Sequence, residues 1–184
     1  MRPAARLRRT YFDCRYGQLH VHQAIPPGGG FDEATALLCI AGAAGEGRFF
    51  QALLGPLGAD RSIYAPDLPG CGQSDAPTGP SGSEQYAFAL LDLLDSLRQR
   101  RVDVLAQAEG AAVALALAVA RPGTLLRRAV CSAPPPRALE ALGQRGLEVR
   151  EVNLAMAGDA TREASATAAQ LHDLIEFFGA AQPA

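Results

Sequence analysis

Short strand-like runs alternate with helical stretches along almost the whole chain, and this alternation constrains the fold more than any other feature. Thr35 to Ile40 is a continuous apolar run of strand length, the pattern of a strand buried on both faces. Helical periodicity follows from Arg48 to about Leu57, then a strand from Arg61 to Ala65 that ends at Pro66-Asp67-Leu68-Pro69-Gly70. Glu84 to Arg98 predicts a helix with Ser83 as N-cap and an apolar stripe of Leu90, Leu91, Leu94 and Leu97. Val102 to Leu105 predicts a strand, Glu109 to Ala120 an alanine-rich helix, and Leu126 to Cys131 a further strand. Beyond Pro134-Pro135-Pro136, a short helix over Ala138 to Leu142 leads to a strand near Leu147 to Leu154. A closing helix spans Ala164 to Phe178, with Leu171, Leu174, Ile175 and Phe178 on one face. At the front, Leu7 to Cys14 and Gln18 to His22 form a hairpin around Tyr16-Gly17. Such alternation over short loops packs as an α/β fold: a mostly parallel, doubly wound sheet with helices on both faces.

At 184 residues the chain is expected to form one domain, spanning 1–184. A net charge of −2 without a charge run recommends neither nucleic acid nor an anionic membrane as a partner. All 17 basic residues are arginine, which excludes lysine Schiff bases, a lysine general base and the phosphate-loop lysine. The basic N-terminus lacks the apolar stretch of a secretory signal, and Ala111 to Ala120 is too short an apolar run to cross a bilayer. Cys14, Cys39, Cys71 and Cys131 lie far apart with no CxxC pair, so neither zinc nor a disulfide framework is expected. A reduced, cytoplasmic setting is the expectation.

In sheets of this kind ligands bind beyond the carboxyl ends of the strands. The loops there are those starting at Ala41, Pro66, Ala106, Ser132 and Ala155. Several of them, in order, resemble the α/β-hydrolase family. LLCIAGAAGEGRFF is similar to the family's strand, oxyanion loop and helix start, with Ala41-Gly42 where His-Gly is usual. Tyr64 to Asp75, YAPDLPGCGQSD, is close to the family's D-x-P-G-x-G-x-S-D segment. VDVLAQAEGAAVALALAVARP stands in the place of the strand, nucleophile elbow and helix, and LRRAVCSAPP in that of the next strand. VNLAMAGDATREASATAAQLHDLIEFF resembles the final strand, the Gly-His turn and the C-terminal helix.

The resemblance implies a serine, a histidine and a carboxylate, and this sequence departs at each. The elbow needs G-x-S-x-G, whose strained turn presents the serine oxygen. Here it reads Ala106-Gln107-Ala108-Glu109-Gly110, so the nucleophile position is Ala108. Gly158-Asp159 stands where the family has Gly-His, and a carboxylate with an ordinary pKa near 3.9 does not replace imidazole as base and then acid. Ser132-Ala133-Pro134 carries no carboxylate, and the short stretch to Leu147 implies that the cap and one strand are missing together. Alternatively, Asn153 to Thr161 is the acid-bearing strand and turn, and the last strand is the missing one. The oxyanion donors implied by the resemblance are the backbone N–H groups of Ala43 and Glu109.

Ala44, Cys71, Gln107, Cys131 and Ser132 are the candidates to line a remnant pocket. Cys71 has no histidine placed to activate it and reads as a space-filling loop residue. Cys131 and Ser132 likewise lack a visible base. His20 and His22 share a strand face, with metal binding as the sharp expectation and two surface histidines, far from the ligand loops, as the plain one. Asp67 and Asp75 read as loop-fixing carboxylates, Glu109 as a solvated helix-start carboxylate, and His172 as a surface residue. Gly42 to Gly47 and Gly70 to Ser74 match neither phosphate-loop pattern.

The expectation is therefore an α/β-hydrolase-like protein without the triad, serving as a ligand-binding or protein-interaction domain and using no cofactor or metal. The alternative is an esterase-like hydrolase or a lyase with unconventional groups drawn from Glu109, Asp159 and Cys71. A small apolar ligand and a second copy of the chain are the expected partners, since loss of a cap exposes apolar surface. A purely monomeric species by light scattering at micromolar concentration would exclude the homo-oligomer.

Overall fold

A computed structural model describes residues 4–29, 34–42, 44–123, 125–157 and 163–179, with backbone alone for 155–157 and 163–165. The opening hairpin is formed by β1 (Arg6–Cys14) and β2 (Gly17–Ile25), antiparallel and closed at Cys14↔Gly17. There follow β3 (Ala36–Ile40), a 3-10 turn over Gly47–Phe50 running into α1 (Gln51–Leu57), and β4 (Ile63–Pro66). Next come α2 (Ser83–Ser96), β5 (Val102–Gln107), α3 (Gly110–Ala120), β6 (Leu126–Ser132), α4 (Ala138–Gly143) and β7 (Glu148–Val152). The strands form one seven-stranded sheet in the order β1-β2-β4-β3-β5-β6-β7. β2 is antiparallel to β4, and β4, β3, β5, β6 and β7 are mutually parallel neighbours. This is the expected doubly wound architecture.

Period-two alternation sends successive strand residues to two separate cores. Leu38 and Ile40 of β3, with Val104 and Ala106 of β5, face α2, α3 and α4. Leu37 and Cys39, with Leu105 and Val130, face α1 and the closing helix α5 (Ala168–Gly179). Strands buried on both faces have no polar alternation, hence the continuous apolar runs in the sequence. Among the described residues no helix is long and apolar enough to cross a membrane.

The structure corrects several local expectations. Ser83 does not cap α2: it is the first helical residue, Gly82 holds the extended cap position, and no side chain bonds there. α5 begins at Ala168, not Ala164. Thr167 Oγ1 accepts the Gln170 N–H at 3.2 Å while Gln170 Oε1 accepts the Thr167 N–H at 2.8 Å, a reciprocal capping box that sets the helix start. Before it, β8 (Ala155–Ala157) and β9 (Glu163–Ser165) pair antiparallel as a separate two-stranded sheet. Among the described residues the last main-sheet strand is thus β7, and no residue from Asn153 to Ala157 joins that sheet. Only α4 connects β6 to β7, so no cap is inserted between them.

At the amino ends of the strands, α5 is docked by arginines. The final carbonyls of a helix lack partners within it. Here Arg128 Nη1 donates to Phe177 O at 2.8 Å, and Arg127 and Arg61 donate to Phe178 O at 3.1 and 3.2 Å. Asp103, fully buried, answers two of these charges: Arg127 grips both its oxygens at 2.8 and 2.5 Å, and Arg61 lies 3.7 Å away. Glu148 serves Arg128 at 2.7 Å. Removing one partner of a buried ion pair leaves the other charge uncompensated, which costs about 3–5 kcal/mol. Asp103→Ala is therefore expected to lower unfolding free energy by about that amount in urea titration, and a loss under about 1 kcal/mol would contradict the pairing.

Candidate functional site

The carboxyl ends of β3, β4, β5 and β6 meet the loops on which the candidate residues lie. Between β5 and α3 the chain bends at Ala108, whose φ of +47° is left-handed and non-glycine. Such a residue costs on the order of 1–3 kcal/mol and persists where its surroundings over-determine it. Its N–H donates to Ser132 O at 2.8 Å, and its carbonyl accepts from Ala111 N at 3.0 Å. Gly110 makes the bend possible, because a Cβ there would collide with the carbonyl oxygens of Ile40 and Ala41. What the bend presents is a methyl group.

Around it the candidate residues divide. The Gln107 amide accepts the Gly42 N–H at 2.9 Å, so this side chain ties the elbow to the oxyanion-like loop. Cys131 is buried in the α2–α4 core and its thiol is pushed up to about 11 by burial and by Glu151. Ser132 is buried as well, and its Oγ accepts the Leu154 N–H at 3.0 Å, fixing the chain after β7. Neither is among the residues lining the cavity at the ends of β3 and β5, because both side chains are buried beneath the end of β6. Ala44 is exposed on its turn and also stands outside the cavity. Ala43 and Asp159 lie outside the described residues.

Two candidates do converge. A cavity of about 190 Å³ opens at the ends of β3 and β5, floored by Ala41, Leu68 and Val113 and bordered by Cys71, Tyr86 and Glu109. Burial, with the charges of Asp67 and Glu46, holds the Cys71 thiol above its ordinary pKa, so it is not a ready thiolate. Glu109 is the residue before α3, exposed, and its carboxylate makes no capping bond. Tyr86 carried a legible signal, lying one helical turn before Leu90 on the same face of α2.

The loop from Asp67 to Asp75 is fixed bond by bond. Asp67 Oδ1 accepts the Gly47 N–H at 2.8 Å, and Oδ2 accepts the Gln73 N–H at 2.9 Å. His20 Nδ1 lies 2.9 Å from the same Oδ2. Ser74 Oγ donates to Asp67 O and accepts from the His20 N–H, and Asp75 pairs with the backbone of Gln18 in both directions. Gly72 sits so close to the Asp67 carboxylate that no side chain fits.

His20 and His22 are consequently not surface residues: they are 2% and 4% exposed, their rings in edge contact at 4.7 Å. The hairpin is not remote from the ligand loops either, since β2 pairs with β4 at Val21↔Pro66 and leads straight to Asp67. With Asp67 the two histidines form the one trio among the described residues whose ligand atoms all lie within 4.8 Å of one another. Hydrogen bonds account for them: both Asp67 oxygens are taken, and His22 Nδ1 faces Gln51 Oε1 at 3.1 Å. His172, as expected, is exposed, beside Glu176 on α5.

A family profile described as "Alpha/beta hydrolase family" matches residues 37–183. The chain belongs to the α/β-hydrolase family. Among solved α/β-hydrolase-like structures, the epoxide hydrolase CorEH is 18% identical with a TM-score of 0.63, over 71% of this chain and 44% of that one. Cfl2 from Burkholderia cenocepacia is 25% identical with a TM-score of 0.61, over 70% and 42% of the two chains. The N-acyl homoserine lactonase AidH, complexed with N-butanoyl homoserine, is 26% identical with a TM-score of 0.61, over 74% and 48%. The chain thus spans less than half the length of each of these α/β hydrolases. No curated protein sequence matches it significantly.

Burial above all, helped by His20 and Arg9 and opposed by Asp67 and the Gln51 bond, lowers the His22 pKa below its ordinary value. The unfolded chain therefore binds a proton near pH 6.5 that the folded chain takes up only at lower pH. Stability is complete above about pH 6.5 and falls as pH drops toward the folded value. Urea unfolding between pH 7.5 and 5.5 should show this decline, and His22→Gln should flatten it; an unchanged slope in the variant would refute the assignment.

Proposed function

We propose that this chain is a non-catalytic α/β hydrolase that binds a small, largely apolar molecule in the cavity at the ends of β3 and β5. The observation that carries the proposal is the methyl group of Ala108 at the strand-to-helix bend, where the family's chemistry needs an oxygen nucleophile. By resemblance, Asp159 stands at the histidine position, so the second member is absent as well. In serine hydrolases, loss of the serine or the histidine costs on the order of 10⁶ in turnover. Backbone donors alone would then polarise a carbonyl that nothing attacks. One further feature supports binding over catalysis: burial and the charges of Asp67 and Glu46 hold the Cys71 thiol above its ordinary pKa.

The convergence of Glu109 and Cys71 on the cavity favours one other reading, an esterase-like or lyase activity using those groups. A panel of activated short-chain esters separates the two. The non-catalytic protein should show no turnover above background, and Ala108→Ser alone should give no acyl-enzyme burst, because Asp159 stands in sequence where the family has its histidine base. Turnover typical of working hydrolases, abolished by Glu109→Gln or Cys71→Ala, would overturn the non-catalytic assignment.

A further inference from the structure

The polarity of the cavity is one-sided. Among the described residues that line it Glu109 alone carries a charge, and no described arginine is one of them. The other polar groups at its border are the Ser83 hydroxyl, the Tyr86 phenol and the Cys71 thiol, over the buried apolar floor of Ala41, Leu68 and Val113. Two more carboxylates stand just behind: the charges of Asp67 and Glu46 are felt at Cys71, where both disfavour a thiolate. Of the backbone donors that border it, the Gly42 N–H is already given to Gln107. The carboxylate of Glu109 is not consumed in capping α3 and remains available to a guest.

We propose that this cavity takes a small protonated amine: an ammonium held by the Glu109 carboxylate, beside the Tyr86 ring, with a short apolar body against Leu68 and Val113. A carboxylate partner supplies a charge-assisted hydrogen bond, and an aromatic ring face attracts a cation within about 6 Å of its centroid. At about 190 Å³ the space equals roughly six water molecules at liquid density, the scale of a four- or five-carbon amine. The proposal rests on the cavity being a binding site, and it adds the chemical class of the occupant.

The test uses three probes of one shape, butylamine, 1-butanol and butyrate, titrated into the ¹⁵N-labelled full chain at pH 7.5. Butylammonium should shift the amides of Gly45 and Val113 and bind about tenfold more tightly than 1-butanol, the difference expected for one hydrogen bond to a charged group. Butyrate should bind more weakly than either. Glu109→Gln, an exposed and nearly isosteric change, should bring butylamine down to the level of 1-butanol and leave 1-butanol unaltered. If 1-butanol or butyrate binds at those amides as well as butylamine, the amine assignment fails while the cavity stands as a binding site. If no probe shifts them, the amine assignment and the binding function fall together.

Discussion

Asp67 joins three separate parts of the chain at one carboxylate: the helix start at Gly47, the loop at Gln73, and the ring of His20 on β2. Each donor is a group that would cost about 1–3 kcal/mol if left buried and unpaired. The oxyanion-like loop therefore has its position only relative to the Asp67–Asp75 loop, and that loop only relative to the hairpin. The cavity lies between these pieces, with Gly45 pressed against Cys71 on one side and Leu68 donating its N–H to Gly45 O at 2.7 Å. Its walls are loops, but loops with their hydrogen bonds spent on one another, so its shape is set before any ligand arrives.

The two ends of the sheet are built on opposite terms. At the amino ends, charge is buried and matched: Asp103, Arg61, Arg127 and Arg128 close the last turn of α5 onto the strands. Arg61, Arg128 and Arg150 also lie over the rings of Phe178 and Phe177, where cations are attracted to the ring face. At the carboxyl ends, two strained residues stand on adjacent strands, while Arg98 and Arg137 hold positive φ elsewhere in the fold. Ala108 and Ala133 both hold positive φ, at +47° and +48°, at the ends of the neighbouring strands β5 and β6. Residues in such conformations cluster at functional sites. Here one of them, Ala108, displays a methyl group at the strand-to-helix bend.

Most of the architecture was legible in the sequence because burial on both faces leaves a plain trace: uninterrupted apolar strands between helices, punctuated by glycine and proline. The boundaries that went astray were set by hydrogen bonds that no hydropathy pattern records. The Thr167–Gln170 box moved the start of α5, and Gly82 rather than Ser83 ended the loop before α2. The site was partly legible. The D-x-P-G-x-G-x-S-D segment marked Asp67 and Asp75 as loop-fixing groups, and both do fix the loop. Cys131 and Ser132 were placed at the correct edge yet lie beneath it, because exposure at a strand end depends on which other segments pack over it.

By itself the sequence determined which side chains are on hand, for identity at a position needs no fold: residue 108 is alanine, and no lysine exists anywhere. Only the tertiary structure decided which distant residues became neighbours. It buried His20 and His22 against Asp67, brought Tyr86 of α2 opposite Glu109 at the head of α3, and left the cavity between them. The reason is physical. Contacts between strands and helices far apart in sequence are fixed by the order of strands in the sheet, and a local pattern carries no information about that order.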